Sequence, residues 1–156
     1  MHSNVIRQHE MREKVVNKIH PLNESAQRRT FSLGDATGLA ALGLHYTLVS
    51  PGDRSTELHS HVYADEFVFI LAGSGRLELD HEQIDVAAGD FIGLPARGPA
   101  HRLYNTGSVD LAYLVGGNRP SFDVCNYPEK RVRLFHYHEG SERAHDFVDF
   151  DDVQKR

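Results

Sequence analysis

Between residues 39 and 117 the chain is cut into short apolar or alternating segments by turn residues, and no helical periodicity interrupts them. Leu42 to Val49 is one apolar run, stopped by Pro51 and Gly52; "EFVFILAGSG" is another, stopped by Gly73 and Gly75. Leu77, Leu79, Ile84 and Val86 alternate around a polar turn at 80–83. "FIGLPARGPA" ends in a Pro/Gly cluster, and "HRLYNTGS" and "VDLAYLVGG" close the set. Turn signals at intervals of about 8–12 residues predict an all-β sandwich or barrel. A parallel α/β sheet would need helical stretches between its strands and is excluded.

The flanks divide the chain into three parts. Residues 1–38 are expected to form an N-terminal arm packing on the barrel, residues 39–117 the barrel core, and residues 118–156 a C-terminal strand and acidic tail. "MREKVVNKIHPL" reads equally as a short helix, with Met11, Val15, Val16 and Ile19 on one side, or as an extended arm. "QRRTFSLGDATG" reads as strand and turn, and "RVRLFHYHEG" alternates like one more strand. The last dozen residues are expected to form a loosely held tail.

Composition narrows the function classes. At 156 residues the chain fits one domain able to bury its own core. Cys125 is the single cysteine, so neither an internal disulfide nor a cysteine-based zinc site can form. That points to a reducing, cytoplasmic setting, with Cys125 read as a buried inert thiol. The formal net charge of −5 argues against nucleic acid as a partner. No stretch approaches the about 20 apolar residues that cross a bilayer, so no membrane role is expected.

Against this background "ELHSHVYADE", residues 57–66, stands out. Side chains two apart on a strand share a face, so His59 and His61 aim the same way. Glu66 joins them only if "VYAD" turns the chain and Glu66 starts the neighbouring strand. A His-x-His alone carries little weight in a chain with 11 histidines. "HYHEGSE" supplies His136, His138 and Glu142 in a similar pattern and reads as a lookalike, a surface or tail pair. Context separates the two. Gly52 and Gly73 frame residues 59–66, and "GDFIGLPARGPAHRLYN" follows, with His101, Leu103 and Asn105 on one face of a later strand.

The two stretches resemble the paired motifs of the cupin superfamily, usually written G-x5-H-x-H-x3,4-E-x6-G and G-x5-P-x-G-x2-H-x3-N. Here Gly52 is followed by six residues, His59, Ser60, His61, four residues, Glu66, six residues and Gly73. Later come Gly89, five residues, Pro95, two residues, Gly98, two residues, His101, three residues and Asn105. Each departs from the pattern by one inserted residue, at a turn where length is tolerated. The resemblance covers about residues 39–117 and is closest to the small single-domain cupins. It implies a jelly-roll barrel, or double-stranded β-helix, with short N- and C-terminal extensions. It also implies His59, His61, Glu66 and His101 as metal ligands. Gly73, Gly89, Pro95, Gly98 and Asn105 would be structural. Three imidazoles and one carboxylate suit one divalent Fe, Mn, Ni, Cu or Zn ion.

For substrate contacts the candidates are Arg97 on the loop, able to clamp an anionic group, and His45 or Tyr46, only one of which can face the ion. Tyr104 and Tyr113 lie on predicted strands. Phe67, Phe69 and Leu71 should point outward, covered by a homodimer partner or by a second sheet of the same chain. Two functions of different class fit. The first is an enzyme acting on a small polar or anionic molecule, with non-haem dioxygenase-type chemistry favoured over sugar (phosphate) isomerase or epimerase chemistry, because no convincing extra base other than His45 is visible. The second is a non-catalytic small-molecule-binding cupin.

Overall fold

The computed structural model describes residues 4–139 and 142–152. Two short helices, α1 (Gln8–Glu13) and α2 (Leu33–Thr37), accompany thirteen strands. The strands are β1 (Val16–His20), β2 (Asn23–Ser32), β3 (Leu42–Val49), β4 (Ser60–His61), β5 (Glu66–Ala72), β6 (Ser74–Leu79) and β7 (Glu82–Ala87). They continue as β8 (Phe91–Leu94), β9 (His101–Tyr104), β10 (Leu111–Asn118), β11 (Asp123–Tyr127), β12 (Val132–Glu139) and β13 (Glu142–Asp149). The chain is all-β, built from antiparallel ladders in facing layers.

One layer is a six-stranded sheet in the order β1-β2-β3-β10-β5-β8. The facing layer comes in two pieces, β7-β6-β9 and β13-β12-β11-β4. The segment before β4 is joined to β9 by bridges at Arg54–Tyr104 and His59–His101, and the second pair exchanges backbone hydrogen bonds of 3.2 and 2.8 Å. The main core lies between the layers, with Val68, Ile70, Ile92 and Leu111 from the large sheet meeting Leu77, Val86 and Leu103 from the small one.

The framing residues of the motifs turn the chain where the sandwich needs it. Gly73 sits at φ +82°, and a Cβ there would come within 2.6 Å of the Asp110 carbonyl, so only glycine fits. Buried Asn105 donates to the carbonyls of Val49 (2.7 Å) and Val109 (2.8 Å) and accepts from Gly107 N–H (2.9 Å), stitching three segments of loop.

The ends of the chain differ from the expectation. Residues 8–20 contain both alternatives, helix α1 and then extended β1. The last residues are not a loose tail as far as they are described: β13 pairs with β12 along its whole length. Residues 153–156 of the acidic tail, and residues 1–3 of the N-terminal arm, lie outside the described residues. Strand β2 pairs with β3 and so extends the large sheet. Alternation on β5 buries Val68 and Ile70 and turns Phe69 and Leu71 outward, where Phe91 of β8 is also exposed. Among the described residues no helix is long and apolar enough to cross a membrane.

Candidate metal centre

The His59–His101 bridge between the two pieces of the facing layer is where the histidines gather. His59 pairs with His101 on one side, and the next two residues pair with β11 on the other, Ser60 opposite Asn126 and His61 opposite Cys125. Glu66 opens β5 in the six-stranded sheet, so it reaches the histidines from across the sandwich. The sequence reading placed it on a neighbouring strand of the same sheet; β4 in fact pairs with β11 and β5 with β10 and β8.

Asp123 makes that crossing possible. One carboxylate oxygen accepts the Nδ1–H of His61 at 2.6 Å; the other accepts the backbone N–H groups of Tyr63 (2.9 Å) and Ala64 (3.3 Å). One side chain therefore orients a histidine and holds the four-residue turn that delivers Glu66. Its signal in the sequence was faint: a lone aspartate opening an apolar strand 62 residues from its partner.

The ligand atoms of His59, Glu66 and His101 all lie within 4.8 Å of one another, and so do those of His59, His61 and Cys125. His59 belongs to both trios. Each imidazole is tied through Nδ1: His59 to the Glu57 carbonyl (2.9 Å), His61 to Asp123, His101 to the Pro99 carbonyl (3.2 Å). Carbonyls and carboxylates only accept, so each Nδ1 carries a proton, and in the neutral ring Nε2 is the atom left to bind a metal. That is how metal-binding histidines are held. Nε2 of His101 faces a Glu66 oxygen at 3.1 Å, a contact that either a proton on that nitrogen or a cation held between the two groups satisfies. The donor set thus fits a divalent ion.

Electrostatics agree with that fit. Burial, reinforced by neighbouring His101, pushes the His59 pKa down to about 3, so the ring is neutral. Burial pushes Glu66 upward, but the His101 contact and the surrounding imidazoles outweigh it and bring it to about 2, so it is ionised. Asp123 behaves likewise, burial being outweighed by its bonds from His61 and the Tyr63 N–H, and comes to about 2. For His61 burial opposes the charged form, yet the Asp123 and Glu66 carboxylates prevail and raise its pKa. Burial lifts the Cys125 thiol to about 12, so it is protonated here, but it sits opposite His61 and not in a remote part of the core.

The cluster lies in a cavity of about 650 Å³ between the layers. Of the three sequence-predicted substrate residues, His45 lines it. Tyr46 does not: alternation turns it to the opposite face of β3, where it is buried with Leu33, Leu48 and Ala112. Arg97 does not either. Its backbone N–H binds the His61 carbonyl at 2.7 Å, while the exposed side chain turns back over Tyr63, with its guanidinium carbon 5.9 Å from the ring centre. Arg102 points away from the cluster into an ion pair with Glu78 (2.8 Å) and Glu129 (2.7 Å). Residues that the sequence reading missed include Tyr127, whose ring stacks on His59 at 5.8 Å, and Arg28, supplied by the N-terminal hairpin. His136 and His138 also line the cavity.

Comparison with known proteins agrees with this architecture. The Cupin domain family (Cupin_2) matches residues 45–116. A solved structure from Acidithiobacillus ferrooxidans, of a protein provisionally named a sugar phosphate isomerase, is 37% identical, with a TM-score of 0.90, covering 99% of this chain and 97% of that one. A cupin-superfamily sugar phosphate isomerase from Silicibacter pomeroyi is 24% identical with a TM-score of 0.80, covering 92% and 94% respectively, which speaks to the fold. An uncharacterised protein of Methanocaldococcus jannaschii is 35% identical over 80 residues, 51% of this chain and 56% of that protein. The chain spans little more than half the length of the curated relatives it matches. With its barrel, both motifs and a full-length relative in agreement, the chain belongs to the cupin superfamily.

Proposed function

We propose that the protein is a metal-dependent isomerase-type enzyme that moves a proton within a small anionic hydroxy-carbonyl compound such as a sugar phosphate. One observation carries this reading: His45, an imidazole outside the ligand set, lines the same cavity as His59, Glu66 and His101. Burial lowers its pKa, so the ring is unprotonated near neutral pH and can accept a proton. Burial raises the hydroxyl pKa of Tyr113 to about 12 and that of Tyr127 further, so both stay protonated and can donate to a developing oxyanion. In this reading His59, His61, Glu66 and His101 hold the ion. The bound ion would supply Lewis-acid polarisation of the substrate carbonyl. The full-length likeness to the protein from Acidithiobacillus ferrooxidans supports the same chemistry.

Oxygenase chemistry needs no such base, and the three-nitrogen, one-oxygen donor set suits redox metals, which makes it the second reading. The test is a panel of aldose and ketose phosphates offered to protein loaded in turn with Mn, Fe, Co, Ni or Zn. Solvent deuterium entering the carbon beside the carbonyl is followed alongside oxygen uptake. Exchange without oxygen consumption is expected, with His45→Ala lowering kcat about 10²- to 10⁴-fold. Oxygen uptake without exchange would reverse the order of the two readings. The exposed face of Phe69, Leu71 and Phe91 is assigned in the same proposal to an isologous homodimer.

A further inference from the structure

The metal-centre reading leaves the N-terminal hairpin's part of the six-stranded sheet unused. Cross-strand register sets Lys18 opposite Arg28, Thr30 opposite Thr47, and Thr47 opposite Tyr113. All five line the cavity. The wall is polar where a barrel core would ordinarily be apolar. The two threonines satisfy each other: Thr30 Oγ1 donates to the Tyr46 carbonyl at 3.2 Å and lies 3.1 Å from Thr47 Oγ1. The cations are not matched in this way.

Arg28 is half-buried and donates through Nη1 to the Ser55 carbonyl at 2.6 Å. Among the described residues no carboxylate lies within ion-pair distance of its guanidinium. Other arginines along the cavity do have partners: Arg102 has Glu78 and Glu129, and Arg119 has Asp35 at 2.6 Å. Withdrawing a cation from water without an anion is costly. The charge of Arg28 acts on His45, Tyr113 and Tyr127, and the charge of Glu66 acts on the same three groups. Arg28 and the His/Glu cluster therefore face one space.

We infer that Arg28 and Lys18 form an oxyanion subsite for a phosphoryl group, in the same cavity as the His59, Glu66 and His101 cluster. A guanidinium fork with N–H groups to spare, joined by an ammonium, matches a dianionic phosphate better than a singly charged carboxylate. As a statement about the substrate's far end, the inference rests on the proposed function; as a binding site, it stands on the N-terminal hairpin alone. It also gives residues 16–32 a task beyond covering the barrel: β2 carries the specificity element that the motif strands lack.

The test is calorimetric titration of inorganic phosphate into the purified protein, its Arg28→Met and Arg28→Lys variants, and His59→Ala. Saturable binding is expected in the wild type and in His59→Ala alike, weakened at least tenfold in Arg28→Met and partly restored in Arg28→Lys. Acetate should bind at least tenfold more weakly than phosphate. An unchanged melting temperature and metal content in Arg28→Met would show that its fold is intact. No saturable phosphate binding by the wild type, or equal binding by Arg28→Met, overturns the subsite. Loss of binding in His59→Ala but not in Arg28→Met would place the phosphate on the metal cluster and overturn it as well. Absence of metal from a wild type that still binds phosphate through Arg28 would instead count against the metal-centre reading alone.

Discussion

The chain contains two His-x-His pairs, and they fare differently. His59 and His61 sit where the two pieces of the facing layer join, tied through Nδ1 to the Glu57 carbonyl and to Asp123, with Glu66 and His101 close by. His136 and His138 share one face of β12 and line the same cavity, His136 across the ladder from Asp123, and both are exposed. Among the described residues, neither belongs to a trio of potential ligands close enough to share an ion. His136 instead packs beside His145 of β13, ring centres 6.3 Å apart. The residue pattern is the same in both places. What separates them is whether the fold fixes each ring through Nδ1 and gathers further ligand atoms beside it.

The largest expected contrast is in the inner set. His101→Ala should abolish the thermal stabilisation that divalent metal gives the wild type, since ligands binding only the folded state stabilise it by mass action. Retention of the full metal-induced shift would break the comparison at its stronger end. Next comes the orienting carboxylate. Asp123→Asn keeps the shape but removes the charge that fixes His61 and the turn before Glu66. About a 10- to 100-fold loss of metal affinity is expected, measured by competition with a chelating dye. An unchanged affinity would mean that His61 needs no such support.

Acid should act on the two pairs unequally. The His59 pKa is lowered to about 3 from an ordinary 6.5, so the unfolded chain takes up that proton first and metal-free stability falls as pH drops from 6.5 toward 3. Glu66 and Asp123, both near 2, stabilise the fold above their ordinary 4.5 and 3.8 and lose that contribution as pH falls further. His61, with its pKa raised, works the other way: its contribution is present below pH 6.5 and disappears as pH climbs through its folded value. Urea melts of metal-free protein between pH 8 and 4 should show a falling midpoint, flattened by His59→Gln and much less by His136→Ala. A midpoint independent of pH over that range would contradict the assignment. The smallest effect belongs to the outer pair. His136→Ala with His138→Ala should change stability by no more than about 0.5 kcal/mol, read from the same melts.

Much of this was legible in the sequence, and the limits have physical causes. Alternation and turn residues announced the strands of 39–117, and the outward turn of Phe69 and Leu71 followed from the period of two. His59, His61, Glu66 and His101 could be named because two motifs carry them. The layer that supplies Glu66 could not be read, because a four-residue turn is equally compatible with a hairpin and with a crossing. Asp123 and Arg28 were missed for one reason: each reaches the cavity through long-range pairing, β11 against β4 and β2 against β3, which no local pattern encodes. Arg97 failed as a candidate because proximity in the chain to His101 says where its backbone goes and not where its side chain turns. Strand β13 was hidden by its charge; it is an edge strand, and polar edge strands alternate weakly.

The most direct test of the account is metal content. The wild type, the His59→Ala/His61→Ala variant and the His136→Ala/His138→Ala variant are purified side by side, exposed to equal divalent metal, desalted and assayed by mass spectrometry. About one ion per chain is expected in the wild type and in the outer variant, and almost none in the inner variant. A wild type without stoichiometric metal, or an outer variant that loses its ion while the inner variant keeps it, would contradict it.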